Sequence, residues 1–212
     1  MKIVSLTLAR GGSKGVLRKN LAILNGKPLI SYVIEVSKAS NVEETWVSTE
    51  DKEIAEVAKF YGAKVIDRPV EIAADTSKCE ESLLHFAANI DFDILVFIQT
   101  TSPLVMVEDV NKGIELMKTN NYDSVFSVTR EHWVPRWAND MTPIDWNHFE
   151  RPRRQEKEVT FIENGAFYIT TKEFLFENKN RYGGKIGYVE IPLSRSFQVD
   201  SQEELDLIGR LL

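Results

Sequence analysis

Residues 3–20, IVSLTLARGGSKGVLRKN, run from a strand-like apolar segment, Ile3 to Leu8, straight into a loop with three glycines and four cations, Arg10, Lys14, Arg18 and Lys19. A short buried strand that ends in glycines and then in cations is built to receive a polyanion. Gly11, Gly12 and Gly15 lack a Cβ, so the backbone can take positive φ and turn its amides inward toward phosphate oxygens. The loop is neither of the two best-known phosphate loops. Lys14 is followed by Gly15 and Val16, so no hydroxyl stands where a Walker A motif places one for magnesium. The glycines read Gly11-Gly12-x-x-Gly15 among many charges, which is not the spacing of a dinucleotide fingerprint. A basic surface turn that binds nothing is the plain alternative. The loop's place directly after the first strand of an α/β pattern, where such sheets bind ligands, argues against it.

Outward from the loop, strand-length apolar runs alternate with helix-like segments: helix from Pro28 to Ser40, strand Thr45 to Ser48, helix Lys52 to Tyr61, strand Lys64 to Ile66. This alternation predicts repeated βαβ units, and therefore an α/β, doubly wound, mainly parallel sheet. Ser48-x-x-Asp51 reads as the capping pattern of the second helix, Gly62 as its end, and Ile54, Val57, Ala58 and Tyr61 as its buried face. A third helix is expected from Ser77, with Ser77-x-x-Glu80 as a capping box and Leu83, Leu84, Ala87 and Ala88 buried. Residues 93–98, DILVFI, read as a central strand covered on both faces. A helix near Val107 to Lys118 and a strand Ser124 to Val128 follow. After residue 160 come a strand Ile162 to Ile169, a short helix Lys172 to Phe176, a strand Ile186 to Ile191 and a helix from Gln202.

Residues 130–160 break the pattern and hold three of the four tryptophans, three prolines and two of the three histidines. So long an irregular stretch implies a lid, a binding loop or an oligomer contact, because disordered segments are poor in aromatics. The whole chain, residues 1–212, reads as one domain carrying this insertion as a dimerisation or substrate arm. A formal net charge of −6 sets the basic loop in an acidic body, which argues against general nucleic-acid binding and for a small polyanionic ligand. Cys79 is the only cysteine, so no intrachain disulfide and no cysteine-based zinc site is possible. The apolar residues near the N-terminus stop at Arg10, too soon for a signal-peptide core or a membrane span, and a cytoplasmic setting with no membrane partner is expected.

Further residues bear chemistry. Gln99 to Leu104, QTTSPL, follows the DILVFI strand at the ligand-binding edge and offers neutral donors and acceptors, among them Thr101 and Ser102. Gly165, inside the strand-like run Glu163 to Tyr168, suggests either close approach by a ligand or another backbone, or a simple bulge. Arg151, Arg153, Arg154 and Gln155 suit a carboxylate or phosphate, or equally a solvated charge run. Asp200, at the end of a short strand-like segment before the last helix, is either a magnesium ligand or the acidic start of that helix.

Taken together, these residues resemble the acylneuraminate cytidylyltransferases, which activate nonulosonic acids. The likeness rests on Ala9 to Gly15 (ARGGSKG), Arg18-Lys19-Asn20, Gly26 to Leu29, Ser48 to Asp51, Asp75-Thr76, QTTSPL, Arg153-Arg154-Gln155, Asn164 to Tyr168 and Val199-Asp200-Ser201. It implies a nucleotide-diphospho-sugar transferase-like fold, CTP held by Leu8, Ala9, Arg10, Gly11, Gly12, Ser13, Lys14, Asn20 and Asp75, and a sugar acid held by Gln99, Thr101, Ser102, Arg153, Arg154, Gln155, Asn164, Gly165, Ala166, Phe167 and Tyr168. Arg10, Lys19 and Asp200 would be catalytic, with Mg²⁺ on Asp200 and a homodimer sharing its sites through the arm. Two departures stand out. Enzymes of this kind commonly place two aspartates in an Asp-x-Asp pattern where this chain has Gln198-Val199-Asp200. The related Kdo cytidylyltransferases usually carry an acid in the loop corresponding to Gln99 to Pro103, which is absent here. A nucleotidyltransferase for another sugar, Kdo-like or a hexose 1-phosphate, and a nucleotide-binding regulator without turnover are the alternative readings.

Overall fold

The structure is a computed structural model that describes residues 1–212. Its strands are β1 (Ile3–Leu8), β2 (Ile23–Leu24), β3 (Lys27–Pro28), β4 (Glu44–Thr49), β5 (Lys64–Asp67), β6 (Ile94–Ile98), β7 (Ser124–Arg130), β8 (Arg136–Trp137), β9 (Pro143–Ile144), β10 (Phe161–Thr171) and β11 (Ile186–Glu190). The α-helices are α1 (Leu29–Ala39), α2 (Lys52–Phe60), α3 (Cys79–Asn89), α4 (Val107–Asn120), α5 (Lys172–Asn178) and α6 (Gln202–Gly209). Seven strands form one sheet in the order β11-β7-β10-β6-β1-β4-β5. All run parallel except β10, which pairs antiparallel with β6 and β7. From β1 the chain winds one way to β4 and β5, then returns to place β6 on the other side of β1. The switch point of the doubly wound sheet therefore lies between β1 and β6.

As DILVFI predicts, β6 is central and buried throughout, and its alternate residues serve two cores. Ile94, Val96 and Ile98 pack with Val33, Val110 and Ile114 of α1 and α4, while Leu95 and Phe97 pack with Leu83, Phe86 and Leu175 of α3 and α5. Parallel strands covered on both faces need such continuous apolar runs. A smaller cluster of Val16, Leu24, Leu29, Leu104, Val199, Leu205 and Ile208 docks α6 beside the basic loop.

Local chemistry departs from expectation at three places. The cap of α2 is Asp51, whose carboxylate accepts the Ile54 amide at 3.0 Å, while Ser48 is buried at the end of β4. Helix α3 starts two residues after Ser77 without a side-chain cap: the Ser77 hydroxyl donates to the Glu71 carbonyl, and Glu80 pairs with Arg181 at 2.6 Å. Its buried face is Leu83, Phe86 and Ala87, with Ala88 exposed, the i, i+3, i+4 set that a helix presents to one side. The 130–160 arm contains the β8–β9 ribbon and edge-to-face pairs of Trp146 with Trp133 and Trp137. No helix is long and apolar enough to cross a membrane.

Candidate active site

The loops leaving β1 and β6 meet at the switch point, the edge where open α/β sheets hold ligands. They line a cavity of about 470 Å³ together with Arg68, Asp200 and part of the segment between Ile72 and Ser82. Leu8, Arg10, Ser13, Lys14, Gly15, Lys19 and Asn20 come from the first loop, and Gln99, Thr100 and Thr101 from the second. A cavity of this size, with polar groups converging on it, is what a nucleotide-sized ligand needs.

Acidic side chains pair with every cation of the loop. Asp75 bridges Arg10 at 2.7 Å and Lys14 at 2.6 Å, and the bond from Lys14 holds its carboxyl below the usual carboxylate range. Lys19 contacts Asp200 at 2.8 Å. Arg18, in left-handed backbone with φ 51°, turns to Asp51 and Glu53 at 3.0 and 2.9 Å and does not line the cavity, so the loop presents three cations to a ligand rather than four. Asn20 is buried and donates to the Arg10 carbonyl at 2.9 Å, pinning the backbone that carries Arg10. Because that bond fixes the amide's orientation, its Oδ1 is the atom left without a partner.

The glycines act differently from the sequence expectation. None of Gly11, Gly12 and Gly15 has positive φ. Two of them are small because something stands close by: a Cβ on Gly11 would lie 2.5 Å from Asp51 Oδ2, and one on Gly15 would run into the Asp200 backbone carbonyl. Nor does the Gly11 amide face a phosphate site, since it donates to Glu50 Oε1 at 2.7 Å. The other oxygen of Glu50 takes Arg68 Nη2 at 2.7 Å. Arg68 is 6% exposed, lines the cavity and has an unpartnered Nε. The sequence reading did not single out Arg68, which sits just past β5 without a motif around it. Thr100 of the QTTSPL motif lines the cavity as well, and Phe97, Cys79 and Ser82 line it unpredicted. Burial pushes the Cys79 thiol up, away from thiolate.

Other expected site residues lie behind the cavity wall. Ala9 is fully buried in the core under α1 and α2, and Ser102 is buried with its amide on the Gln99 carbonyl. Asn164 is held within the sheet by Ser127, at 2.6 Å, and Thr129, at 2.9 Å. Ala166 and Phe167 belong to the core beneath α4. Tyr168 stacks on Phe97 and Tyr182, lies under Arg181 and donates to Glu163, so its ring supports the wall through Phe97. Gly165 has φ +71° at a shift in the β10–β7 register, and what comes close to it is the Gln198 amide. Gln198 Nε2 donates to the Asn164 carbonyl at 2.6 Å, and the Val199 amide donates to the Thr101 carbonyl at 2.8 Å. Position 198 thus ties the bulge to the segment bearing Asp200. Arg153, Arg154 and Gln155 line a separate cavity of about 350 Å³ in the arm, with Trp133 and Arg151. Within one chain they do not reach the first cavity.

No three His, Cys, Asp or Glu side chains gather to hold a metal by themselves. Asp200 is 65% exposed at its side chain and gives only Oδ1 to Lys19. A single free carboxylate oxygen beside a cationic loop fits magnesium shared with ligand phosphates, the usual arrangement for that ion.

A family model described as cytidylyltransferase matches residues 4–210. An N-acylneuraminate cytidylyltransferase A of Danio rerio is 40% identical over 93% of this chain, and the chain spans about half, 48%, of that relative's length. A CMP-N,N'-diacetyllegionaminic acid synthase of Legionella pneumophila is 30% identical over 100% of this chain and 97% of its own. Among solved structures, a CMP:2-keto-3-deoxy-manno-octonic acid synthetase complexed with CTP superposes with a TM-score of 0.76 over 100% of this chain and 98% of the other, at 18% identity. That last likeness concerns the fold. By its matched family model and by its relatives, the chain belongs to the cytidylyltransferase family, in the acylneuraminate-type group.

Proposed function

We propose that this protein transfers the cytidylyl group of CTP to the 2-hydroxyl of a nonulosonic acid, giving a CMP-sugar and pyrophosphate. The observation that carries the reading is the convergence of Arg10, Lys14 and Lys19 with Gln99, Thr101 and Asp200 on one cavity at the β1/β6 switch point. The names of the relatives supply the substrate class. The sugar hydroxyl oxygen bonds to the α-phosphorus, the bond from that phosphorus to the bridging oxygen breaks, and the hydroxyl proton leaves to solvent. Such a transfer depends mainly on positioning and on neutralising charge as it develops. Arg10, Lys14 and Lys19 hold the triphosphate and stabilise the departing pyrophosphate, taking up phosphate oxygens in place of Asp75 and Asp200. Asn20 keeps Arg10 in place, while Gln99 and Thr101 offer neutral hydrogen bonds to the sugar. Asp200, with Oδ2 free, is the residue that would hold magnesium. When bound, that ion supplies further neutralisation at the phosphate oxygens.

The arm extends the proposal to a homodimer. It exposes Trp137, Met141, Ile144 and Phe149, the last at 85%, and an apolar surface of this kind suits an interface. A partner copy whose arm covered the cavity would bring Arg153, Arg154 and Gln155 to a sugar carboxylate. Sedimentation should show a dimer, and an active monomer would remove this part of the proposal. The cytoplasmic setting remains part of the same reading.

The central test is incubation with CTP, Mg²⁺ and a panel of nonulosonic acids, with pyrophosphate release and product mass as readouts. Release with at least one acid is expected. No release with any of them, or turnover with a hexose 1-phosphate and another nucleotide, would overturn the reading.

A further inference from the structure

Three neighbouring parallel strands, β1, β4 and β5, end at the ligand-binding edge, and the residues just past them are joined sideways through one carboxylate. Glu50, past β4, accepts the Gly11 amide with Oε1 and Arg68 Nη2 with Oε2, both at 2.7 Å. Gly11 opens the phosphate loop after β1, and Arg68, past β5, is itself seated by its own amide on the Thr49 carbonyl at 3.0 Å. Both ends of the link are confined. The Arg68 side chain is 5% exposed and that of Glu50 17%. Gly11 is crowded by Asp51, so the loop has little room to yield on that side.

The remaining donors of Arg68 are therefore aimed. With Nη2 on Glu50, Nη1 reaches toward the Ser82 hydroxyl at 3.5 Å, which donates in turn to the Ile72 carbonyl, and Nε has no partner. Ile72, Ala73 and Ala74 form the adjoining cavity wall, an apolar stretch. A buried, incompletely satisfied guanidinium beside an apolar wall suits the nucleoside part of a ligand, whereas Arg10, Lys14 and Lys19 suit the phosphates.

We propose that Glu50 is a positioning residue for nucleotide binding: it locks Arg68 toward the nucleoside and the Gly11 amide into the phosphate loop, so that the two halves of the nucleotide site are set by one side chain. This rests on the CTP reading above and deepens it. Glu50 touches no reacting atom. Its loss weakens binding of the ground state and the transition state alike, which raises KM and leaves kcat in place.

Two variants separate its two ends. Glu50→Gln keeps an oxygen for the Gly11 amide but offers Arg68 an NH₂ donor in place of a carboxylate oxygen. CMP binding by calorimetry is expected to weaken about tenfold or more, with KM for CTP rising in step, kcat within about twofold and tripolyphosphate affinity unchanged. Glu50→Ala also orphans the Gly11 amide, and tripolyphosphate affinity is expected to fall as well. Glu50→Asp should recover part of the CMP affinity. A purely structural ion pair would instead lower the melting temperature without separating CMP from tripolyphosphate, and that result overturns the proposal. So does a fall in kcat at unchanged KM. The Gly11 amide resonance in a ¹⁵N-labelled chain, read without ligand, should shift in Glu50→Ala and stay near its wild-type position in Glu50→Gln. A wild-type chain that bound neither CTP nor CMP would overturn the nucleotide reading itself, while the Gly11 resonance would still decide whether Glu50 holds the loop.

Discussion

Replacing Gly15 by alanine tests how the cationic loop and the C-terminal segment are fitted together. The α-carbon of Gly15 faces the backbone carbonyl of Asp200, and an added Cβ would overlap it. To restore 3.0 Å, the floor for such contacts, the two segments must part by about 1 Å, and the obstacle is backbone rather than a flexible side-chain tip. Overpacking of this kind costs about 1–3 kcal/mol. In a domain of this size it should lower the melting temperature by about 2–4 °C per kcal/mol. The larger consequence is chemical. Moving Asp200 shifts its carboxylate against Lys19, and a displacement near 1 Å among reacting groups costs roughly 10²-fold in rate. The assay is pyrophosphate release for kcat/KM beside calorimetric melting, with Gly12→Ala as the stability control, because nothing lies within 4 Å of a Cβ at Gly12. A Gly15→Ala protein with wild-type melting and wild-type kcat/KM would refute the reasoning. So would a Gly12→Ala protein destabilised as much as Gly15→Ala.

Asp200→Asn should abolish magnesium-dependent turnover while changing stability by less than about 1 kcal/mol, because its pair with Lys19 is largely solvent-exposed on the Asp200 side; full activity would reassign the metal ligand. Asp75→Asn removes the anion that holds Arg10 and Lys14, so tripolyphosphate should bind several-fold more tightly by calorimetry, and weaker binding would show that Asp75 holds the ligand instead. Gly165→Ala meets both left-handed backbone, which costs a side chain roughly 1–2 kcal/mol, and the Gln198 amide; unchanged thermal stability would contradict the tie between the bulge and the Asp200 segment. Glu44 is held at about 2 by hydrogen bonds from Lys64 and Trp46, below its usual 4.5. Its folded value is depressed, so its contribution to stability is fully present above pH 4.5 and is lost as pH falls toward 2. Glu44→Gln should flatten the acid limb of the stability curve in that window, and an unaltered limb would assign acid sensitivity elsewhere.

Much of the fold was legible because its signals are local. The DILVFI run, the alternation of strand and helix lengths and the helix end at Gly62 each depend on neighbours in sequence, and the structure repeats them to within a few residues. The helix starts were harder. Asp51 and Ser48 are both good capping residues, and only the path of the chain into α2 decides between them. At Ser77 the capping box was outcompeted because Arg181, distant in sequence, claims Glu80. The same split runs through the site. Arg10, Lys14, Lys19, Asn20, Gln99 and Thr101 could be read from two compact motifs. Gly11, Glu50 and Arg68 meet across the ends of three strands, and no spacing along the chain announces a carboxylate shared by a loop amide and a buried arginine.

By itself, the sequence determined that the chain alternates β and α elements and that a cationic, glycine-bearing loop follows the first strand. It also carried the family likeness in motifs dense enough to read without a structure. Hydrophobic periodicity and residue chemistry suffice for these, because each is a property of a short segment. Only the tertiary structure decided which cations face the cavity, why Gly11 and Gly15 must be small, and what Gln198 does in place of an acid. It also separated Asn164 to Tyr168, which brace the wall from behind, from Gln99 to Thr101, which line it. Those outcomes turn on close approach between residues as far apart as Gly15 and Asp200. Excluded volume and the pairing of buried charge act there, and a pattern along the chain records neither.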